Sequence, residues 1–146
     1  MTVSTYVGKR YVLLVDDEES VAKGFARVLE ANGYETRWAR DGLVAAKLLQ
    51  QYRFDAMVTD IFMPEREGLE TIREVHKLYP GMGIVVASGG FGTVDLAQWF
   101  NVAVALGASA TLKKPVASSV LLAAVGDAIA NPTRRPGTAA GGSRSV

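Results

Sequence analysis

Three short runs of the chain, "YVLLV" (11 to 15), "AMVTD" (56 to 60) and "GIVVAS" (83 to 88), are β-branched and almost continuously apolar. This is the pattern of parallel strands covered on both faces. "ETRWA" (35 to 39) and "ATLKK" (110 to 114) are weaker strands by composition, but each follows a helical segment and a glycine-containing turn. Between them, Val21, Phe25, Val28 and Leu29 recur at the spacing of a helix with one buried stripe, with Ser20 as its cap and Asn32-Gly33 as its stop. Ala45, Ala46, Leu48, Leu49 and Tyr52 mark a helix begun at Asp41, and Leu69, Ile72, Val75 and Tyr79 mark one ended by Pro80-Gly81. "DLAQWFNVAVAL" (95 to 106) and "SSVLLAAVGDAIA" (118 to 130) predict two more. Strand and helix alternate five times with short loops, which predicts an α/β, three-layer (βα)5, doubly wound parallel sheet of five strands.

Ligands of such sheets bind beyond the carboxyl ends of the strands. Reading off those ends gives Asp16 and Asp17 after the first strand, Asp60 after the third, Ser88 after the fourth, and Lys113 and Lys114 after the fifth. Lys113 is most simply a solvated neighbour of Lys114. Glu18 and Glu19 need no role beyond favouring the positive end of the helix that follows.

Composition narrows the setting. The 146 residues include no cysteine, so disulfides and thiolate chemistry are excluded, and a reducing compartment, by default the cytoplasm, is expected. No stretch approaches the about 20 apolar residues of a membrane span, and the first ten residues lack a signal-peptide core. The formal charge is +1, but Arg134, Arg135 and Arg144 lie in the last stretch, "NPTRRPGTAAGGSRSV", so residues 1 to 130 hold 13 basic and 15 acidic groups. A mildly acidic domain is a poor direct nucleic-acid binder. The expected organisation is an N-terminal extension (1 to 9), one domain (10 to 130) and a disordered tail (131 to 146).

Three converging carboxylates with no His or Cys nearby are hard oxygen ligands, favouring Mg²⁺, Mn²⁺ or Ca²⁺ over zinc, with Mg²⁺ first by availability. A dication relieves the repulsion among Asp16, Asp17 and Asp60 and leaves positions that phosphate oxygens can fill. A carboxylate is also a competent nucleophile toward phosphorus, with a cation and donors such as Lys114 and Ser88 meeting the charge that develops.

"LLVDDEES", "VTDIFMPEREGLE", "VVASGG" and "GASATLKKP", in that order at those strand ends, resemble the receiver domains of bacterial two-component response regulators over roughly residues 10 to 130. The resemblance implies a flavodoxin-like fold with strand order 2-1-3-4-5. It makes Asp60 the phosphoacceptor, with Mg²⁺ bound by Asp17, by Asp16 mainly through water, by Asp60 and by the backbone carbonyl of Phe62. Lys114 would pair with Asp60, Ser88 would be a switch hydroxyl that turns inward, and the Lys114-Pro115 bond would be cis. The implied donor is a sensor histidine kinase or histidine phosphotransfer protein, and the domain itself is a signalling phosphoacceptor rather than an enzyme. His76, mid-helix beside Lys77, is expected on the solvated surface.

Several positions depart from the family pattern. Thr111 stands where an inward-turning aromatic is usual, so output is expected to rely on the loop after Ser88. "SGGFG" is expected to be a hinge. Phe62 and Gly90 cannot orient an attacking water, so hydrolysis should depend on access. The helices at 95 to 106 and 118 to 130 carry one acid each, which predicts a homodimer or partner surface in preference to a deeper core. The alternatives are a degenerate receiver acting as an unphosphorylated binding module, which should have lost an acid or the lysine, and a Mg²⁺-dependent phosphohydrolase, which needs an Asp where Phe62 stands.

Overall fold

The computed structural model describes residues 9–62, 68–89 and 95–132. The expected extension up to residue 8, the tail from 133, the turn around Pro64, Gly90 and most of the proposed hinge lie outside the described residues. Five strands alternate with five helices: β1 (Arg10–Val15), α1 (Glu19–Ala31), β2 (Tyr34–Ala39), α2 (Gly42–Gln51), β3 (Ala56–Thr59), α3 (Gly68–Leu78), β4 (Gly83–Ser88), α4 (Leu96–Leu106), β5 (Ala110–Lys113) and α5 (Ser118–Ala130). The strands are parallel in the order β2-β1-β3-β4-β5, so the order reverses between β1 and β3.

Alternation along the strands divides the core. Leu13, Val15, Met57, Ile84 and Val86 face one side, against Ala45, Leu49, Ile72, Val75 and Ala103 of α2, α3 and α4. Val12, Leu14, Val58, Val85 and Ala87 face the other, against Leu29 of α1 and Leu121, Ala124, Val125 and Ala128 of α5. With both faces covered, β3 and β4 are buried at every residue. That explains why they read as unbroken apolar runs.

Three local expectations need correction. Ser20 does not cap α1: the cap is Glu18, whose carbonyl accepts from Val21 and Ala22, while its own N–H donates to Asp16 Oδ1 at 2.9 Å. The acidic turn thus starts the helix two residues early. Tyr52 lies past α2, where its ring meets Phe54 edge-on and carries the Arg37 guanidinium at 4.1 Å. His76 is half-buried, with Nδ1 enclosed and unpartnered, because it packs on Gly107 at the end of α4. Gly107 has φ +127°, and an added Cβ would lie 2.5 Å from His76 Cγ. Asp41 and Asp95, by contrast, cap α2 and α4 through their side chains.

The fit of β4 against α5 carries a prediction. A Cβ on Gly83 would run into the backbone carbonyl of Ala128, which no rotamer change relieves. Gly83→Ala should therefore cost about 2–3 kcal/mol of stability in a urea titration. A midpoint equal to wild type would show that α5 is not held this close.

Candidate functional site

Each strand that ends at the β1/β3 switch point delivers its next residue to the same place. Asp16 continues the ladder with β2, its N–H donating to the Ala39 carbonyl at 3.0 Å, and Asp60 does the same toward the Val15 carbonyl at 3.0 Å. Asp16 (4% exposed) and Asp60 (8%) are buried, while Asp17 is exposed at the mouth. One carboxylate oxygen from each of the three lies within 4.8 Å of the others.

Asp60 is held differently at its two oxygens. Oδ1 accepts three hydrogen bonds, from the N–H of Ile61 at 2.6 Å, the N–H of Phe62 at 3.1 Å and the Ser88 hydroxyl at 2.8 Å. Oδ2 accepts from Lys114 Nζ at 2.9 Å. Lys114 does more than its expected pairing with Asp60, because Nζ also donates to Asp16 Oδ2 at 2.7 Å. Ser88 is fully buried and its hydroxyl already faces the carboxylate, so the expected inward turn is not needed to bring it there. Lys113 is exposed, and the Lys114-Pro115 bond is cis.

The charges are unevenly matched, with three carboxylates around one ammonium. Burial raises the Asp16 pKa above the usual carboxylate value, and the Lys114 hydrogen bond offsets that only in part. For Lys114 burial is the largest single influence and lowers the pKa, but the hydrogen bonds and charges of Asp16 and Asp60 together outweigh it, leaving it raised. The two carboxylates thus favour the protonated lysine, and the Asp16 carboxylate is only partly compensated by it. Hard, anionic oxygens in this state fit a small dication.

Two aromatic contacts at the rim were not read from the sequence. The Trp38 indole N–H of β2 donates to the Asp16 carbonyl at 2.8 Å. The Phe62 ring meets Trp99 of α4 edge-to-face, with centroids 5.8 Å apart. Adjacent hydrophobic and acidic letters gave no signal for either, since both contacts span more than twenty residues. α4 is partly exposed. Ala103 of that helix is buried, Trp99, Phe100 and Leu106 are partly buried against the core, and Val102 and Val104 are exposed. α5 differs, with four buried residues.

A five-stranded 2-1-3-4-5 sheet whose switch point gathers three acids, a hydroxyl and a lysine defines the receiver class of α/β domain. The response regulator receiver domain family matches residues 12–126, and the chain belongs to that family. It is 33% identical over 112 residues to the response regulator MprA of Mycobacterium sp. (strain KMS), covering 77% of this chain and 47% of that protein. The chain thus spans about half the length of the MprA relatives, and 9% of the sensor kinase CckA of Brucella abortus, with which it shares 34% identity over 84 residues.

Solved structures agree. A CheY-like receiver domain protein of Methanospirillum hungatei superposes with a TM-score of 0.75 at 26% identity, over 83% of this chain and 94% of that one. A response regulator protein of Burkholderia pseudomallei, with a phosphorylated aspartic acid, a calcium ion and citrate, superposes with a TM-score of 0.72 at 29% identity, over 84% of this chain and 70% of that one. Among the described residues no helix is long and apolar enough to cross a membrane.

Proposed function

We propose that this chain is a working phosphoacceptor receiver, taking a phosphoryl group onto Asp60 and switching a partner through it. The observation that carries the reading is the asymmetry of Asp60. Oδ1 accepts from three donors, which hold the carboxylate in one orientation, while Oδ2 accepts from Lys114 and is the less crowded oxygen for attack on phosphorus. In the reaction an Oδ2–P bond forms as the P–N bond of a phosphohistidine breaks, and the electron pair returns to the imidazole nitrogen. Lys114 stays tethered by Asp16 Oδ2 and is placed to pair with an oxygen of the incoming group. The Ser88 hydroxyl, already at Asp60, is within reach of another.

Asp17, Asp60 and the Phe62 carbonyl would hold Mg²⁺, with Asp16 acting mainly through a bound water. The ion would supply positive charge against the phosphoryl oxygens. Support comes from the mutual approach of the three carboxylates and from the Burkholderia pseudomallei response regulator, whose structure contains a phosphorylated aspartic acid and a calcium ion. The donor is read as a sensor kinase or histidine phosphotransfer protein. The output face is read as α4 with the start of α5, where Val102, Val104 and Val120 are exposed.

A degenerate receiver is disfavoured because Asp16, Asp17, Asp60 and Lys114 are all present and assembled. A phosphohydrolase is disfavoured because Phe62, where a general acid would stand, puts its ring against Trp99. The test is borohydride trapping after incubation with acetyl phosphate and Mg²⁺, which reduces an aspartyl phosphate to homoserine. Peptide masses should place the homoserine at position 60; a modification at any other acid would overturn the assignment.

A further inference from the structure

Asp17, the proposed direct ligand, is exposed, so its carboxylate is aimed chiefly by the peptide plane that joins it to Asp16. That plane lies just beyond the ladder contact that the Asp16 N–H makes with the Ala39 carbonyl of β2. That contact holds the preceding Val15–Asp16 peptide, while the Asp16–Asp17 plane itself is held from β2 at its carbonyl, which accepts from Trp38 Nε1 at 2.8 Å.

The second contact depends on this residue type at this position. Register sets Trp38 opposite Leu14, so a donor on its side chain must reach two residues forward to meet Asp16. An indole carries its single N–H at the far edge of a rigid ring and can span that distance with few rotors to freeze. The core does not account for the side chain, which is 39% exposed on the edge strand and belongs to neither hydrophobic cluster.

We propose that Trp38 is a positioning residue for the cation site: its indole N–H fixes the Asp16–Asp17 peptide and so preorganises Asp17 toward Mg²⁺. The proposal rests on the phosphoacceptor reading. Partners that orient metal ligands without touching the metal commonly change affinity by roughly 10–100-fold. The mechanism here is geometric, since without the N–H the Asp16 carbonyl loses its acceptor bond and the peptide is free to rotate. The same bond polarises the peptide, so cation binding at Asp17 should be felt at the indole.

The test is calorimetric titration of the full chain with MgCl2, wild type against Trp38→Phe, which keeps an aromatic ring and removes the donor. The dissociation constant should rise by about tenfold or more. Acetyl phosphate uptake should show the split of a positioning role, with a higher Mg²⁺ requirement and an unchanged rate at saturation. A change in affinity smaller than threefold would overturn the proposal, as would a lower saturated rate with unchanged affinity. If the wild type itself takes up no Mg²⁺, the phosphoacceptor reading fails instead, and the two failures are distinct.

Should Trp38→Phe fail to fold, ¹H–¹⁵N spectra of the wild type decide the matter. The Trp38 indole resonance should shift saturably with added MgCl2, at the dissociation constant found by calorimetry. An indole resonance unmoved at saturation would overturn the proposal.

Discussion

Replacing Lys114 by methionine should slow phosphoryl uptake from acetyl phosphate by about 10²–10³-fold at saturating Mg²⁺, the usual effect of deleting a preorganised donor aimed at developing charge. The side chain is 14% exposed and its ammonium contacts Asp16 at 2.7 Å and Asp60 at 2.9 Å, so it is held in place before any phosphoryl group arrives. Methionine keeps the length and the apolar stem and removes only the charge and the donors. A second effect follows from the same contacts. Asp16 and Asp60 would then face each other in a buried place with no cation between them, and in EDTA the fold should lose about 2 kcal/mol. Mg²⁺ should restore part of this loss, because it meets the same carboxylates. Uptake at the wild-type rate would show that Lys114 is a structural counter-ion and has no part in the transfer.

Gly68→Ala should damage the acceptor from the opposite side. Gly68 opens α3, its N–H donates to the Ile61 carbonyl at 2.8 Å, and a Cβ there would overlap the Asp60 carbonyl oxygen and lie 2.7 Å from Ile61 Cα. These are backbone atoms of the loop that carries the acceptor, so the methyl cannot be accommodated by a side-chain movement. A displacement of the order of 1 Å costs roughly 10²-fold in rate, and overpacking of this kind costs about 2–3 kcal/mol in stability. Gly24→Ala and Gly126→Ala are the controls. Both glycines lie within helices with nothing in 4 Å of an added Cβ, so alanine should stabilise the protein by about 1 kcal/mol at each. The same substitution thus has opposite signs at positions that look alike in the sequence. Gly68→Ala with wild-type uptake and stability would contradict the placement of α3 against Asp60.

Periodicity made the scaffold legible. β4 and α5 have the boundaries expected from their apolar runs, and the residues following the strands, Asp16, Asp60 and Lys114, converge because parallel strands put all their carboxyl ends on one edge. Contacts between distant segments were not legible. His76 follows Ile72 by four positions and so lies toward the buried side of α3, yet its polar character suggested solvent; Gly107, lacking a Cβ, makes the room for it. The Lys114 bridge to Asp16 and the Trp38 bond to the acidic turn depend on register and side-chain reach, which no local pattern encodes. Thr111 removes the usual aromatic from β5, and the Phe62–Trp99 contact supplies another connection between the acceptor loop and α4. The Phe62 N–H on Asp60 Oδ1 makes that connection continuous with the acceptor.

The central claim is that Asp60 accepts one phosphoryl group with the help of a dication. Its most direct measurement is the intact mass of the chain after incubation with acetyl phosphate, with MgCl2 and with EDTA, in wild type and in Asp60→Asn. The account predicts a single added phosphoryl group in wild type with Mg²⁺ and none in the other three samples. Wild type that takes up nothing with Mg²⁺, or Asp60→Asn that takes up as much as wild type, would contradict it.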